Sequence, residues 1–176
     1  MHLPACTRRT LLALGLGACR PSQATEAGFQ WRPWAAGRAV PPLRLPSLDG
    51  AAWRLDAWRG RVVVANFWAT WCEPCRAELP SLAALAARHA GAGLVVVTVN
   101  YREDPGAIER FLASQRMALP VLLDTDGSAA RAWTPMVFPS TVVVGRDGRP
   151  AGVLVGELDW AGAAAADLLR PLLGAR

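Results

Sequence analysis

The run "RVVVANFW", Arg61 to Trp68, sets the tightest limit on how this chain can fold. It is β-branched and apolar with no polar alternation, the pattern of a strand buried on both faces. Such a strand needs a covering layer on each side. In "EPCRAELPSLAALAARHAGAG" Leu79, Leu82, Leu85 and Ala86 recur at helical spacing, and Gly91 and Gly93 end the helix. "LVVVTVN" is a second buried strand. "DPGAIERFLASQ" is a helix with Asp104 as N-cap, Pro105 at its first position, and Ile108, Phe111 and Leu112 on one face. "PVLLD" reads as a short strand and "GSAARAW" as a short helix. "STVVVGRDGRPAGVLVGE" is a hairpin turning at Asp147-Gly148, and "DWAGAAAADLLRPLL" is a closing helix with Asp159 as N-cap. Upstream, "LRLPSLDGAAWRL" gives two short strands about the Asp49-Gly50 turn. The order predicts an α/β fold, a central mixed β-sheet flanked by helices and opened by an N-terminal β-hairpin.

The length of 176 residues suits one domain with an appendage. All 19 basic residues are arginines, so no catalytic lysine exists, and the net charge of +5 is scattered rather than gathered among aromatics. No nucleic-acid partner is implied.

The appendage is N-terminal. "TRRTLLALGLGAC" starts with two arginines, continues through an apolar run from Leu11 to Ala18, and ends in small residues before Cys19. That is the layout of an export signal, too short to span a bilayer as a helix. "LGAC" resembles a bacterial lipobox, which makes residues 1–19 a lipoprotein signal and Cys19 the acylated first residue of the mature protein. Two alternatives stay open: cleavage after Ala24, leaving a soluble periplasmic protein, and a twin-arginine export route read from "TRRTLL". Residues 20–42 carry Pro21, Pro33, Pro41 and Pro42 without a period and read as a flexible tether, leaving 43–176 as the domain.

Cys6 leaves with the signal and Cys19 carries lipid, so Cys72 and Cys75 are the two thiols of the folded domain. As a staple they stabilise little, because the loop they close is very short. As a structural zinc site they lack further ligands: the two histidines are His2, in the signal, and His89, read as a solvated or capping side chain. A redox pair fits better. Cys72 falls where a buried strand gives way to a helix, so free backbone N–H groups and the positive end of the helix dipole favour its thiolate. Cys75, one turn on, is within reach to resolve a mixed disulfide. Pro74 is tolerated in the first turn, where its missing N–H has no helical partner.

"VVVANFWATWCEPCRAELP" together with "FPSTVVVGRDG" resembles the thioredoxin superfamily, and within it the membrane-tethered, extracytoplasmic TlpA/ResA/CcmG-like thiol-disulfide oxidoreductases, over about residues 43 to 172. The resemblance implies a thioredoxin fold with a central helix-strand insertion. It implies a cofactor-free enzyme whose redox group is the Cys72-Cys75 disulfide. Its substrates would be disulfides in exported proteins such as apocytochrome c, and its electrons would come from a membrane thiol-disulfide donor. It further implies a monomer held by a lipid anchor on the periplasmic or extracytoplasmic face.

Pro139 matches the family's cis-proline beside the disulfide, where Phe138 offers strand-like backbone to a partner, and Pro80 matches a kink in the active-site helix. Trp71 matches the exposed tryptophan of the partner groove, which Glu73 and Pro74 would border. Trp68 is expected in the core, and Trp53, Trp58, Trp133 and Trp160 as ordinary packing residues. Asn66 stands where thioredoxin has a buried Asp that assists proton transfer, and an amide is no base. Glu78, on the helical face of Cys75, is the replacement the resemblance offers; the alternative is a surface pair with an arginine. Glu73, a carboxylate roughly 7 Å from the Cys72 sulfur, would oppose its thiolate by about 0.6 to 2.4 kcal/mol, which favours a reductant, although it also complements the helix N-terminus.

Two other functions compete. A peroxiredoxin shares the fold, but its P-x-x-x-T-x-x-C arrangement is missing, with Ala at position 65. A copper-binding chaperone of the same fold would want a distant histidine ligand. Mass measurement on membrane-extracted protein is expected to show an acyl adduct on Cys19; an unmodified Cys19 removes the lipoprotein reading.

Overall fold

The computed structural model describes residues 28–91 and 93–174. The signal, Cys19 and residues 20–27 of the expected tether lie outside the described residues. The strand expected at 61–68 is β4 (Val62–Trp68), seven residues buried without exception. Its side chains divide by parity. Val62, Val64 and Trp68 enter one core with Leu79, Leu82, Ile108, Leu112 and Leu169. Val63, Ala65 and Phe67 enter the other with Leu43, Leu55, Val97, Leu122, Ala130 and Trp133. A strand that is apolar on both faces thus organises two hydrophobic layers.

Around β4 lie β1 (Phe29–Pro33), β5 (Leu94–Tyr101), β6 (Val121–Asp124), β7 (Ser140–Val144) and β8 (Pro150–Gly156), in the sheet order β1-β8-β7-β4-β5-β6. β4, β5 and β6 run parallel; β7 pairs antiparallel with β4, β8 with β7 and β1 with β8. β2 (Arg44–Pro46) and β3 (Ala52–Arg54) form the expected hairpin. The helices are α1 (Glu73–Arg88), α2 (Pro105–Ser114), α3 (Ser128–Trp133) and α4 (Ala163–Gly174). Asp104 caps α2 as expected, its Oδ1 accepting from Gly106 N at 2.9 Å and Ala107 N at 3.3 Å. α1 continues through Pro80, which is exposed, so the carbonyl it deprives of a partner lies on the solvated side.

Two boundaries differ from expectation. Residues 29–33 are an edge strand of the main sheet, not tether. Phe29 and Trp31 alternate with exposed neighbours, a period too short to outweigh the surrounding prolines in the sequence. Pro33, at the strand end on the sheet edge, lacks only an N–H that no neighbour there needs. Beyond it, Trp34 packs on Trp133 with ring centroids 5.5 Å apart, and the Arg38 guanidinium lies 3.8 Å from the Trp34 ring. The second difference is at Asp159, which caps a turn rather than α4. Its Oδ1 accepts from Ala161 N and its carbonyl from Gly162 N, both at 3.0 Å, and the helix starts only after that glycine.

Trp31 reaches across β8 through the space above Gly152, where an added Cβ would lie 2.5 Å from the Trp31 ring and 2.6 Å from the Arg32 carbonyl. Gly152→Ala is therefore expected to destabilise by about 1–3 kcal/mol and to expose the β8 amides that pair with β1, read by urea unfolding and hydrogen exchange. Unchanged exchange would mean that β1 contributes nothing to the sheet.

Candidate active site

Cys72 is the N-cap of α1, in extended backbone, and its Sγ accepts from Cys75 N at 3.3 Å. One free N–H of the first turn, that of Cys75, therefore does face the sulfur, in line with the strand-to-helix position. Cys72 and Cys75 are joined as a disulfide with Cα atoms 5.3 Å apart. The two cysteines differ in exposure: Cys72 keeps 6% of its surface and Cys75 none, which makes Cys72 the more approachable of the pair. Glu73 and Pro74 occupy the first turn of α1 and are both exposed beside it.

The Phe138-Pro139 bond is cis. Register brings Pro139 to the site: Ser140 pairs with Phe67, so Pro139 stands level with Trp68 at the end of β4 that leads to Cys72. Phe138 packs beside the Cys72 and Cys75 core cluster and against two aromatic rings, Trp71 at 6.2 Å and Tyr101 at 5.1 Å. Trp71 is 64% exposed, and Met136 and Val137 present further apolar surface. Apolar surface thus lies on the two segments that adjoin Cys72 and Pro139 in the chain. Trp71 and Phe138 were legible in the sequence; Met136, Val137 and Tyr101 were not, since nothing distinguishes an exposed apolar loop residue from a buried one in "TPMVFP".

Glu78 is buried and forms no surface pair with arginine. It lies on the stripe of α1 that also carries Cys75, Leu82 and Leu85. Its Oε1 accepts from Asn66 Nδ2 at 2.5 Å, and its Oε2 from Leu158 N at 3.2 Å and Trp160 Nε1 at 3.3 Å. Trp160, expected as plain packing, is thus a polar partner of the site. Burial, with a smaller contribution from the neighbouring Glu157, pushes the Glu78 carboxyl up from 4.5 to about 7, against the three donors, which pull it down. Asn66 also donates to Thr141 Oγ1 at 2.9 Å, while its Oδ1 has no partner. Every group touching the carboxylate is a donor, so a proton on Glu78 finds an acceptor only if Asn66 turns its amide over and presents Oδ1.

A match to the AhpC/TSA family model covers residues 36–149. The chain belongs to the AhpC/TSA family. Among its relatives, the thiol-disulfide oxidoreductase ResA of Bacillus subtilis is 32% identical over 122 residues, 69% of this chain and 68% of ResA. The thioredoxin-like protein YneN of the same organism is 31% identical over 136 residues, 76% of each chain. In structure, a DsbE-type thiol:disulfide interchange protein from Chlorobium tepidum superposes with a TM-score of 0.69 at 29% identity, covering 76% of this chain and 94% of that one. A secreted thiol-disulfide isomerase from Corynebacterium glutamicum, 24% identical with a TM-score of 0.71 over 89% of this chain and 96% of its own, shares the fold. The family member described here has the thioredoxin-like fold and is a thiol-disulfide oxidoreductase of the ResA and DsbE type.

Because the folded protein holds the Glu78 proton more tightly than the unfolded chain does, this group's stabilising contribution is complete below about pH 4.5 and is lost as the pH rises to about 7. The swing is on the order of 3 kcal/mol. In urea titrations from about pH 5 to 8, Glu78→Gln is expected to flatten that decline and to be the more stable protein at the alkaline end. Asn66→Leu, which deletes a donor, is expected to raise the Glu78 pKa further, read from the carboxyl infrared band. A wild-type stability profile that is flat across this range would contradict both.

Proposed function

We propose that the protein reduces disulfides in exported proteins at the extracytoplasmic face of a bacterial membrane, with apocytochrome c before haem attachment as the leading substrate. The observation that carries this reading is the Cys72-Cys75 disulfide at the mouth of α1, with Cys75 fully buried, Cys72 slightly exposed, and Trp71, next to Cys72 in the chain, packed on Phe138. In the reduced enzyme the Cys72 thiolate attacks one sulfur of the substrate disulfide. A mixed disulfide forms and the other substrate sulfur leaves as a thiolate. Cys75 gives its proton to Glu78 and attacks Cys72 Sγ, which releases the second substrate thiol and leaves the disulfide seen here. Two electrons have passed to the substrate, and a membrane thiol-disulfide donor restores the dithiol. No cofactor enters, the disulfide being itself the redox group.

The role of Glu78 as proton acceptor is supported by its burial on the Cys75 face and by a carboxyl poised near neutrality. Trp71, Glu73, Pro74 and Phe138 border the groove, and the chain before Pro139 offers backbone to an extended partner. The direction of electron flow is supported by Glu73, whose charge disfavours the Cys72 thiolate and with it the reduced form. Export and anchoring are supported by the N-terminal signal and Cys19; among the described residues no helix is long and apolar enough to cross a membrane.

Cys75→Ser is expected to hold exported, cysteine-containing proteins on Cys72 as mixed disulfides recovered by non-reducing electrophoresis, and Cys72→Ser to hold none. Glu73→Gln is expected to raise the reduction potential, by up to about 30 mV for a change of 1.4 kcal/mol. A wild-type potential near that of strong oxidants, or peroxide consumed faster than any disulfide, would overturn the proposal.

A further inference from the structure

We infer that Glu103 is a positioning residue for exchange at Cys72, fastening the loop that carries this cysteine to the turn between β5 and α2; the inference rests on Cys72 being the attacking thiol. The loop Ala69–Trp71 joins β4 to α1, and Cys72 N closes it by donating to Ala69 O at 3.2 Å. Thr70 stands at its centre. The Glu103 carboxylate grips Thr70 twice: Oε2 accepts from Thr70 N at 2.7 Å and Oε1 from Thr70 Oγ1 at 2.5 Å. Oε2 also accepts from Asn100 Nδ2 at 2.7 Å. Asn100 pairs with Trp68 across the β4-β5 ladder, so the clamp is built where the two parallel strands end.

The far side of the clamp is itself fixed. Arg102, in the left-handed region at φ 58°, donates its N–H to Asp124 O at 3.1 Å, and Asp104 caps α2 immediately after Glu103. Among the described residues Glu103 enters no ion pair. A half-buried carboxylate thus accepts two bonds from Thr70, two residues before Cys72 and one before Trp71, and a third from Asn100 at the end of β5. Charge-assisted bonds of this kind are about twice as strong as neutral ones, and a reacting group held to within a fraction of an ångström keeps its rate. Freed from the clamp, the loop would let the Cys72 sulfur drift from the Cys75 N–H that stabilises its thiolate.

Glutamine at 103 can preserve the arrangement, its oxygen accepting from Thr70 N and Asn100 while its amide donates to a reversed Thr70 hydroxyl. This separates position from charge. The experiment measures the iodoacetamide reaction of Cys72 against pH in the reduced protein with Cys75→Ser, which requires no substrate and so succeeds or fails independently of the proposed substrates. Glu103→Ala and Thr70→Val are expected to raise the Cys72 pKa by about one unit, a tenfold loss of thiolate at neutral pH, with Thr70→Ser and Glu103→Gln restoring it to within about threefold. Thr70→Val keeps both the charge and the backbone bond, so it carries the test alone if Glu103→Ala does not fold. A wild-type Cys72 pKa in Thr70→Val would overturn the inference. So would a Cys72 pKa that falls in both Glu103→Ala and Glu103→Gln, the direction expected from removing a nearby carboxylate's charge without any loss of hold.

Discussion

A strand with no solvent-facing residue has to deliver its chain to the surface at its end, and here that end is the site. β4 passes through the molecule buried along its whole length, dividing its side chains between two cores, and emerges into a loop of three residues and the Cys72 cap before α1 begins. Cys72 therefore sits at the boundary between hydrocarbon and water, with the unpaired amides of a new helix behind it. Neither position alone would suffice: deeper in the strand the sulfur would be unreachable, and further along the helix its amides would be spent on the helical ladder. The packing of the sheet and the reactivity of the thiol are consequences of the same placement.

Beneath the disulfide the same economy recurs. Asn66, on β4, cannot accept a proton as a carboxylate would, but it can report one. Its amide joins a carboxylate on α1 to a hydroxyl on β7, and its unpartnered oxygen leaves it free to reverse. The opposing influences on Glu78, burial against three donors, hold the carboxyl near neutrality. That balance depends on residues far apart in the chain, Asn66, Leu158 and Trp160, which the fold alone brings together.

What could be read from the sequence was whatever has a local signature. The non-alternating strand, the proline and cysteine spacing at the start of α1, the Asp104 cap and the Asp147-Gly148 hairpin each announce themselves within a few residues. Cys72 and Cys75 could be named because their spacing is part of their chemistry, and Pro139 and Glu78 because a family resemblance carried them onto matching positions. The partners could not: Trp160 reads as an ordinary apolar residue until its indole N–H is seen against Glu78, and Glu103 reads as a surface charge until Thr70 is found in its grasp. The error at β1 has the same origin, since a five-residue edge strand flanked by prolines is specified by the surface of β8 rather than by its own pattern.

That edge strand also fixes an orientation. Phe29 pairs with Gly156, whose N–H donates to Pro139 O, so the chain enters the domain two strand spacings, about 10 Å, from the cis-proline. The entry point and the disulfide share one pole of the molecule. With an acyl group on Cys19, the ten peptide units to Phe29 could stretch to at most about 35 Å, so the redox face would be leashed within a few nanometres of the lipid surface. A thiol held in that way would encounter membrane-embedded partners at an effective concentration no freely diffusing copy could match.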